Sequence, residues 1–175
     1  MVVKSYLSKG AYAYGYESEK DGIPVVIKWM QPNPGDKLAQ LRFQNEIKVL
    51  QELSHHSIPR LYSHGIWEDR PYIVMGKAPG STLRDILRDR TVEGVGATLG
   101  ELYVLRILKQ ILEALKYIHS CGVKHRDLKD DNIFSDQTGN KVTIIDFGVC
   151  DAGSLGDSIH TFKGFVGAAK FSPPS

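Results

Sequence analysis

Eight consecutive residues, His125-Arg126-Asp127-Leu128-Lys129-Asp130-Asp131-Asn132, followed fourteen positions after Asn132 by Asp146-Phe147-Gly148, constrain this chain more than anything else in it. The interval holds a carboxylate (Asp127), an ammonium (Lys129), an amide (Asn132) and a second carboxylate (Asp146). Apolar strand-like runs, Ile133-Phe134 and Val142-Thr143-Ile144-Ile145, lie between them and would pin Asn132 and Asp146 beneath the roof of a cleft. Asp127 alone reads as a turn aspartate capping nearby amides, and Lys129 alone as a solvated lysine. In each other's company they read as chemistry. Asp127 can orient a hydroxyl and accept its proton. Lys129 can offset negative charge in transit. Asn132 and Asp146 offer the hard oxygens that Mg²⁺ takes. Those are the groups that moving a phosphoryl group requires.

The rest of the chain supplies walls for such a cleft. Residues 4–30 read as strands: Tyr12, Tyr14 and Tyr16 alternate with small residues, Asp21-Gly22 is a hairpin signal, and Val25-Val26-Ile27-Lys28-Trp29 is β-branched. A lysine on a buried strand is costly unless paired. Glu46 lies eighteen residues on, in a helical pattern from Asp36 to Leu53 with Phe43, Ile47 and Leu50 on one face. Alone, Glu46 reads as a solvent-facing helix residue; Ile47 and Leu50 turn its surroundings inward. Gln31-Pro32-Asn33-Pro34-Gly35 is a loop. Two more strands fall between His56 and Gly76, and a short helix covers Ser81 to Arg90. After a Glu93–Gly96 loop, Thr98-Leu99-Gly100-Glu101 reads as a capping box opening a long amphipathic helix that runs through Ser120 and stops at Cys121-Gly122. Strands early and helix late make an α+β chain in two lobes.

Composition excludes several alternatives. The 175 residues suffice for one domain or two small lobes, and 42% hydrophobic with 24% charged is ordinary for a globular protein. A formal charge of +2, with no block of like charges, argues against nucleic acid or an anionic membrane as partner. No run approaches a membrane span, and no signal peptide is read at the N-terminus. Cys121 and Cys150, without C-x-x-C spacing, fit a reducing, cytoplasmic compartment. The six histidines lack zinc-ligand spacing.

From about Tyr6 to the last residue, the chain resembles eukaryotic-type Ser/Thr protein kinases. His125-Arg126-Asp127-Leu128-Lys129 through Asn132, then Asp146-Phe147-Gly148, match H-R-D-L-K-x-x-N and D-F-G; Val25-Val26-Ile27-Lys28 is close to V-A-I-K. The resemblance implies a bilobal kinase fold over residues 1–175, with an N-lobe of about 1–75, a hinge at 76–80 and a partial C-lobe at 81–175. It implies ATP and Mg²⁺, a protein substrate, and Ser/Thr specificity signalled by Lys129. Lys28 paired with Glu46 would hold phosphates, and Asn132 and Asp146 the metal. Gly76 and Ala78 would offer backbone groups to the base beyond Met75, with Val26 adding bulk where relatives carry Ala. Leu50, Leu61, His125 and Phe147 would form an apolar column. Two registers fit the glycine-rich phosphate loop. In one, Gly10 and Gly15 are the first and third glycines. In the other, Gly10 is the middle glycine, Tyr12 the tip and Ala13 the third position. Arg126 would pair with a phosphate on the activation segment, for which Ser154, Ser158 and Thr161 are candidates.

The final residues, 167–175, resemble a worn G-T-x-x-Y-x-A-P-E with Ser175 in place of the glutamate. Relatives continue with further helices, so the resemblance implies a domain truncated after the activation segment. Leu105, Leu108, Leu112 and Leu115 on the long helix would then be exposed, and a partner protein could cover them. The competing function is a catalytically weak kinase-like module that binds or sequesters a partner. A small-molecule kinase is a third, disfavoured by Lys129 and the activation-segment remnant.

Overall fold

The computed structural model describes residues 2–31, 36–92 and 99–152, the side chains of 90–92 excepted. Most of the loop at 31–35, the loop at 93–96, Thr98, and everything from Gly153 onward lie outside the described residues. That last segment includes Ser154, Ser158, Thr161 and the 167–175 motif.

Five antiparallel strands form the first sheet: β1 (Val2–Lys9), β2 (Ala13–Lys20), β3 (Ile23–Met30), β4 (Leu61–Trp67) and β5 (Arg70–Gly76), in the order β1-β2-β3-β5-β4. Asp21 and Gly22 turn β2 into β3 with φ of 51° and 78°, as a two-residue hairpin turn demands. Glu68 and Asp69 turn β4 into β5 in the same left-handed region, with φ of 48° and 58°. Between β3 and β4 runs α1 (Lys37–Glu52), whose first turn is capped by Asp36 accepting the Ala39 N–H at 2.9 Å. Its buried face carries Ala39, Phe43, Val49 and Leu50, and also two polar residues, Asn45 and Glu46. Ile47 sits half-buried at the margin of that face.

The helical half opens with a strand. Ser81 and Thr82 form β6 and pair with β7 (Ile133–Ser135), which pairs with β8 (Val142–Ile144). The helix expected from Ser81 therefore begins at Leu83 and runs as α2 (Leu83–Val92). Thr82 caps it, its Oγ1 accepting the Asp85 N–H at 3.0 Å and donating to Asp85 Oδ2 at 2.7 Å. Gly80 leads into this junction at φ 78°, where an added Cβ would stand 1.9 Å from the Ser135 carbonyl oxygen, so only glycine fits.

The long helix, α3 (Glu101–Ser120), reaches the expected end but not through the expected cap. Gly100 is its N-cap and makes no side-chain cap bond, which places Glu101 first in the helix rather than third. At the other end Gly122 (φ 73°) and Val123 return their N–H groups to the His119 and Ile118 carbonyls, so a left-handed glycine closes the last turn. Ile107, Ile111, Ala114 and Ile118 form its buried stripe. Leu102, Leu105, Leu108 and Leu112 face outward, 48–63% exposed, whereas Leu115 packs half-buried against the core. One continuous core joins both halves, from Ile73 and Met75 of the sheet through Leu50 and Phe147 to Ile118 and Ile144. No described helix is long and apolar enough to cross a membrane.

Candidate functional site

β3 lies between β2 and β5, with Lys28 opposite Gly15 on one side and Ile73 on the other. This fixes the lysine's direction toward α1. Its Nζ donates to both Glu46 oxygens, at 2.8 and 2.6 Å, and to Asp146 Oδ1 at 3.1 Å. Burial disfavours the ammonium, but the Glu46 and Asp146 carboxylates outweigh it and hold its pKa above the ordinary lysine value. Lys28 in turn pulls the Asp146 carboxyl below its ordinary value, against the opposing effect of burial. Glu46 is almost wholly buried, and its carboxylate also takes a hydrogen bond from the Phe147 backbone.

Beneath the sheet, the turn from Lys124 to Asn132 is closed by its own side chains. Lys129 Nζ donates to Asp127 Oδ2 at 2.7 Å. Asn132 Nδ2 donates to the same oxygen at 3.0 Å and to the Asp127 carbonyl at 2.8 Å. Two acceptors on one side of the amide fix its orientation, and its Oδ1 takes part in neither bond. Asn132 ends a single 3₁₀ turn, Asp130–Asn132, and its own carbonyl accepts the Ile145 N–H, so the β7–β8 hairpin sets it beside Asp146.

His125 is buried beneath them, edge-on to Phe147 with ring centroids 4.9 Å apart. Its Nε2 lies 3.1 Å from the Ile145 carbonyl and its Nδ1 3.3 Å from the Asp127 N–H. One neighbour accepts and the other donates, which suits the neutral ring with the proton on Nε2. Burial lowers its pKa accordingly. Leu50 and Phe147 are buried in the same core, with Leu61 packed against it.

Gly10, Lys28, Glu46, Asp127, Lys129 and Asp146 line one cavity of about 230 Å³, joined by Tyr12, Arg42 and Phe43. Asn132 lies just behind Asp127. Gly15 does not reach the cavity: it is a strand residue in β2, opposite Ser8 and Lys28, where an added Cβ would press on Ser8 Oγ. The hairpin tip is Ala11-Tyr12, closed by the Gly10 N–H donating to Ala13 O at 2.9 Å, as in the register with Tyr12 at the tip. Gly76 and Ala78 lie at the end of β5 and beyond, outside the cavity lining, and the Gly76 N–H is engaged by Arg60 O at 2.9 Å.

Other site residues emerge only in three dimensions. Tyr12 stacks under Arg42, whose guanidinium carbon is 4.7 Å from the ring centroid, and its hydroxyl accepts a hydrogen bond from that guanidinium. Arg42 precedes Glu46 by one helical turn, a spacing that could have flagged it. Arg126, at φ 64°, forms an ion pair with Asp151, which is also held by a two-way backbone bridge to Lys124. The arginine expected to await a phosphate thus already has a carboxylate partner. Arg84 of α2 pairs with Asp130 and Asp131, giving that acidic pair a role in tying the helix to the loop.

A five-stranded sheet closing over a cleft lined by Lys28, Glu46, Asp127 and Asp146, with a helical half beneath, is the bilobal α+β architecture of protein kinases. The chain belongs to the protein kinase domain family, which matches residues 2–175. Among its relatives, serine/threonine-protein kinase D of Synechocystis sp. is 31% identical over 188 residues, covering 99% of this chain and 35% of that one. A probable serine/threonine-protein kinase, PknB, of Lactococcus lactis is 33% identical over 83% of this chain and 23% of its own. Maternal embryonic leucine zipper kinase of Danio rerio is 36% identical over 82% of this chain and 20% of its own. The chain spans about a third or less of the length of these relatives.

Proposed function

We propose that this chain carries out phosphoryl transfer from ATP to Ser or Thr hydroxyls of proteins. The observation that carries the reading is Lys28 held between Glu46 and Asp146 in the cavity that also presents Asp127 and Lys129. Membership of a family whose named relatives are serine/threonine kinases supports it, and disfavours a purely sequestering module.

The donor set fits Mg²⁺. Asp146 is a partly exposed carboxylate held ionised by Lys28, and the Asn132 oxygen is left over from the bonds its amide nitrogen makes. When bound there, the ion would neutralise charge on the phosphate oxygens. Lys28, kept cationic and aimed by Glu46, would hold the phosphate chain. Asp127, oriented through one oxygen by Lys129 and Asn132, would position the acceptor hydroxyl and take its proton. Lys129 would then offset the charge of the transferring group. Backbone at Gly76 and Ala78 would border the base, Gly76 through its carbonyl since its N–H is taken. The domain would work in the cytoplasm.

The test is a thermal shift with Mg²⁺·ATP on the chain and on Asp146→Asn, followed by a phosphotransfer assay. A stabilised parent, an unresponsive variant and labelled Ser or Thr are expected; a parent blind to nucleotide overturns the reading. The outward leucines of α3 are proposed as a surface covered by protein in the working molecule. Leu105→Glu with Leu112→Glu is then expected to convert an associating chain to a monomer in sedimentation. A parent that is already monodisperse counts against it.

A further inference from the structure

α1 touches the turn after Asp146 through two adjacent residues, Asn45 and Glu46. Asn45 is 8% exposed. Its Nδ2 faces three backbone carbonyls of one short segment: Phe147 at 3.4 Å, Gly148 at 3.3 Å and Cys150 at 3.0 Å. Three converging acceptors admit only the donor end of the amide, so its orientation follows from chemistry. The other end, Oδ1, is buried without a hydrogen-bond partner among the described residues. A buried acceptor left unmet is costly, and an apolar residue would avoid that cost. The arrangement is thus poor for stability and well suited to gripping that turn.

The turn needs a grip. Asp146 sits at φ 67°, a left-handed conformation that non-glycine residues hold only when their surroundings impose it. From the helix side, Glu46 takes the Phe147 N–H while Asn45 takes the carbonyls of Phe147, Gly148 and Cys150. Asn45 is not among the residues that line the cavity.

We propose that Asn45 is a positioning residue for the metal-binding carboxylate. It locks the backbone after Asp146 to α1, so that Asp146 and the Lys28–Glu46 pair can be in place only together. The inference rests on the reading of Asp146 as a ligand of Mg²⁺·ATP.

Asn45→Leu keeps the branched shape of the side chain and removes both the grip and the orphaned acceptor. Asn45→Gln keeps the carboxamide. Each is compared with the parent by thermal melting, by Mg²⁺ titration of ATP binding, and by hydrogen–deuterium exchange across residues 143–152. Asn45→Leu is expected to melt within about 4 °C of the parent, to need about 10–100-fold more Mg²⁺ for the same ATP affinity, and to exchange faster in that segment alone. Asn45→Gln recovers part of both effects. Unchanged Mg²⁺ dependence in Asn45→Leu overturns the proposal. So does loss of cooperative melting in both variants, which would make the amide a requirement of folding itself. A parent that binds no Mg²⁺·ATP instead sinks the functional reading, while altered exchange in Asn45→Leu would still report the grip.

Discussion

The two walls of the cleft are built to different standards. The floor, from His125 to Asp151, is over-determined: Asp127 is held by Lys129 and Asn132, Asp146 by Lys28, Arg126 by Asp151, and the turn after Asp146 by Asn45. The roof is the β1–β2 hairpin, whose first strand is exposed along its whole length and whose tip meets α1 through the Tyr12–Arg42 contact. Groups that must meet a reacting atom within a fraction of an ångström sit in the floor, where charged partners restrict them. On the proposed function, the cover that would admit and release a nucleotide sits on the side with few ties. The contrast teaches where mutation strikes chemistry and where it only alters access.

The largest break is expected in the floor. Asp127→Asn keeps the shape and most of the hydrogen bonds but loses the proton acceptor, so kcat should fall by about 10²–10⁴-fold with the melting temperature little changed; single-turnover phosphotransfer reads it. A variant retaining most of its kcat would remove Asp127 from the chemistry. Next comes Asp151→Asn, which leaves the Arg126 guanidinium short of its carboxylate. A loss of about 1–3 kcal/mol is expected, visible in urea denaturation, and a phosphomimetic elsewhere would not be needed to hold Arg126 in the parent.

Acid should act on the floor as well. The pKa of His125 is lowered by burial from an ordinary value of 6.5, so the unfolded chain binds a proton that the native ring refuses. Its stabilising contribution is complete above that value and is lost as pH falls below it. His55, lowered by burial and by His56, adds in the same direction. Melting temperatures between pH 7.5 and 5 should therefore decline, and less steeply in His125→Asn; an equal slope would show that His125 is not held neutral. The smallest effect belongs to the roof. Tyr12→Ala removes a cation–π and hydrogen-bond contact, and KM for ATP should move by less than about tenfold with the melting temperature unchanged. A collapse in kcat would mean the roof is as demanding as the floor.

The floor is readable in one dimension because its chemistry is contiguous. Asp127, Lys129 and Asn132 lie within one turn, and the strands on either side of the β7–β8 hairpin announce themselves by composition. Lys28 and Glu46, eighteen residues apart, are readable from a β-branched strand followed by an amphipathic helix. What escapes depends on backbone direction and long-range closure. Gly15 has the spacing of a phosphate-loop glycine, but strand pairing places it mid-β2. Asn45 looks like any helix asparagine until the turn 102–105 residues downstream folds against it. Asp151 carries no local signal, since its partner is 25 residues upstream. The helix expected to be capped from Thr98 is preceded instead by Gly100 as N-cap, without side-chain help, whereas Thr82-Leu83-Arg84-Asp85, with the same spacing, is a run that caps.

The core described above runs without a seam from the five-stranded sheet through Leu50 and Phe147 into the helical half. Such a chain has no independent folding units to lose one at a time. Heat or urea should take the described parts apart in a single cooperative step, seen alike by far-ultraviolet dichroism and by fluorescence of Trp29 and Trp67, whose tilted rings pack together on the sheet at 4.6 Å between centroids. Nucleotide bound between the halves would then raise the stability of both by the same amount, because neither can open without the other.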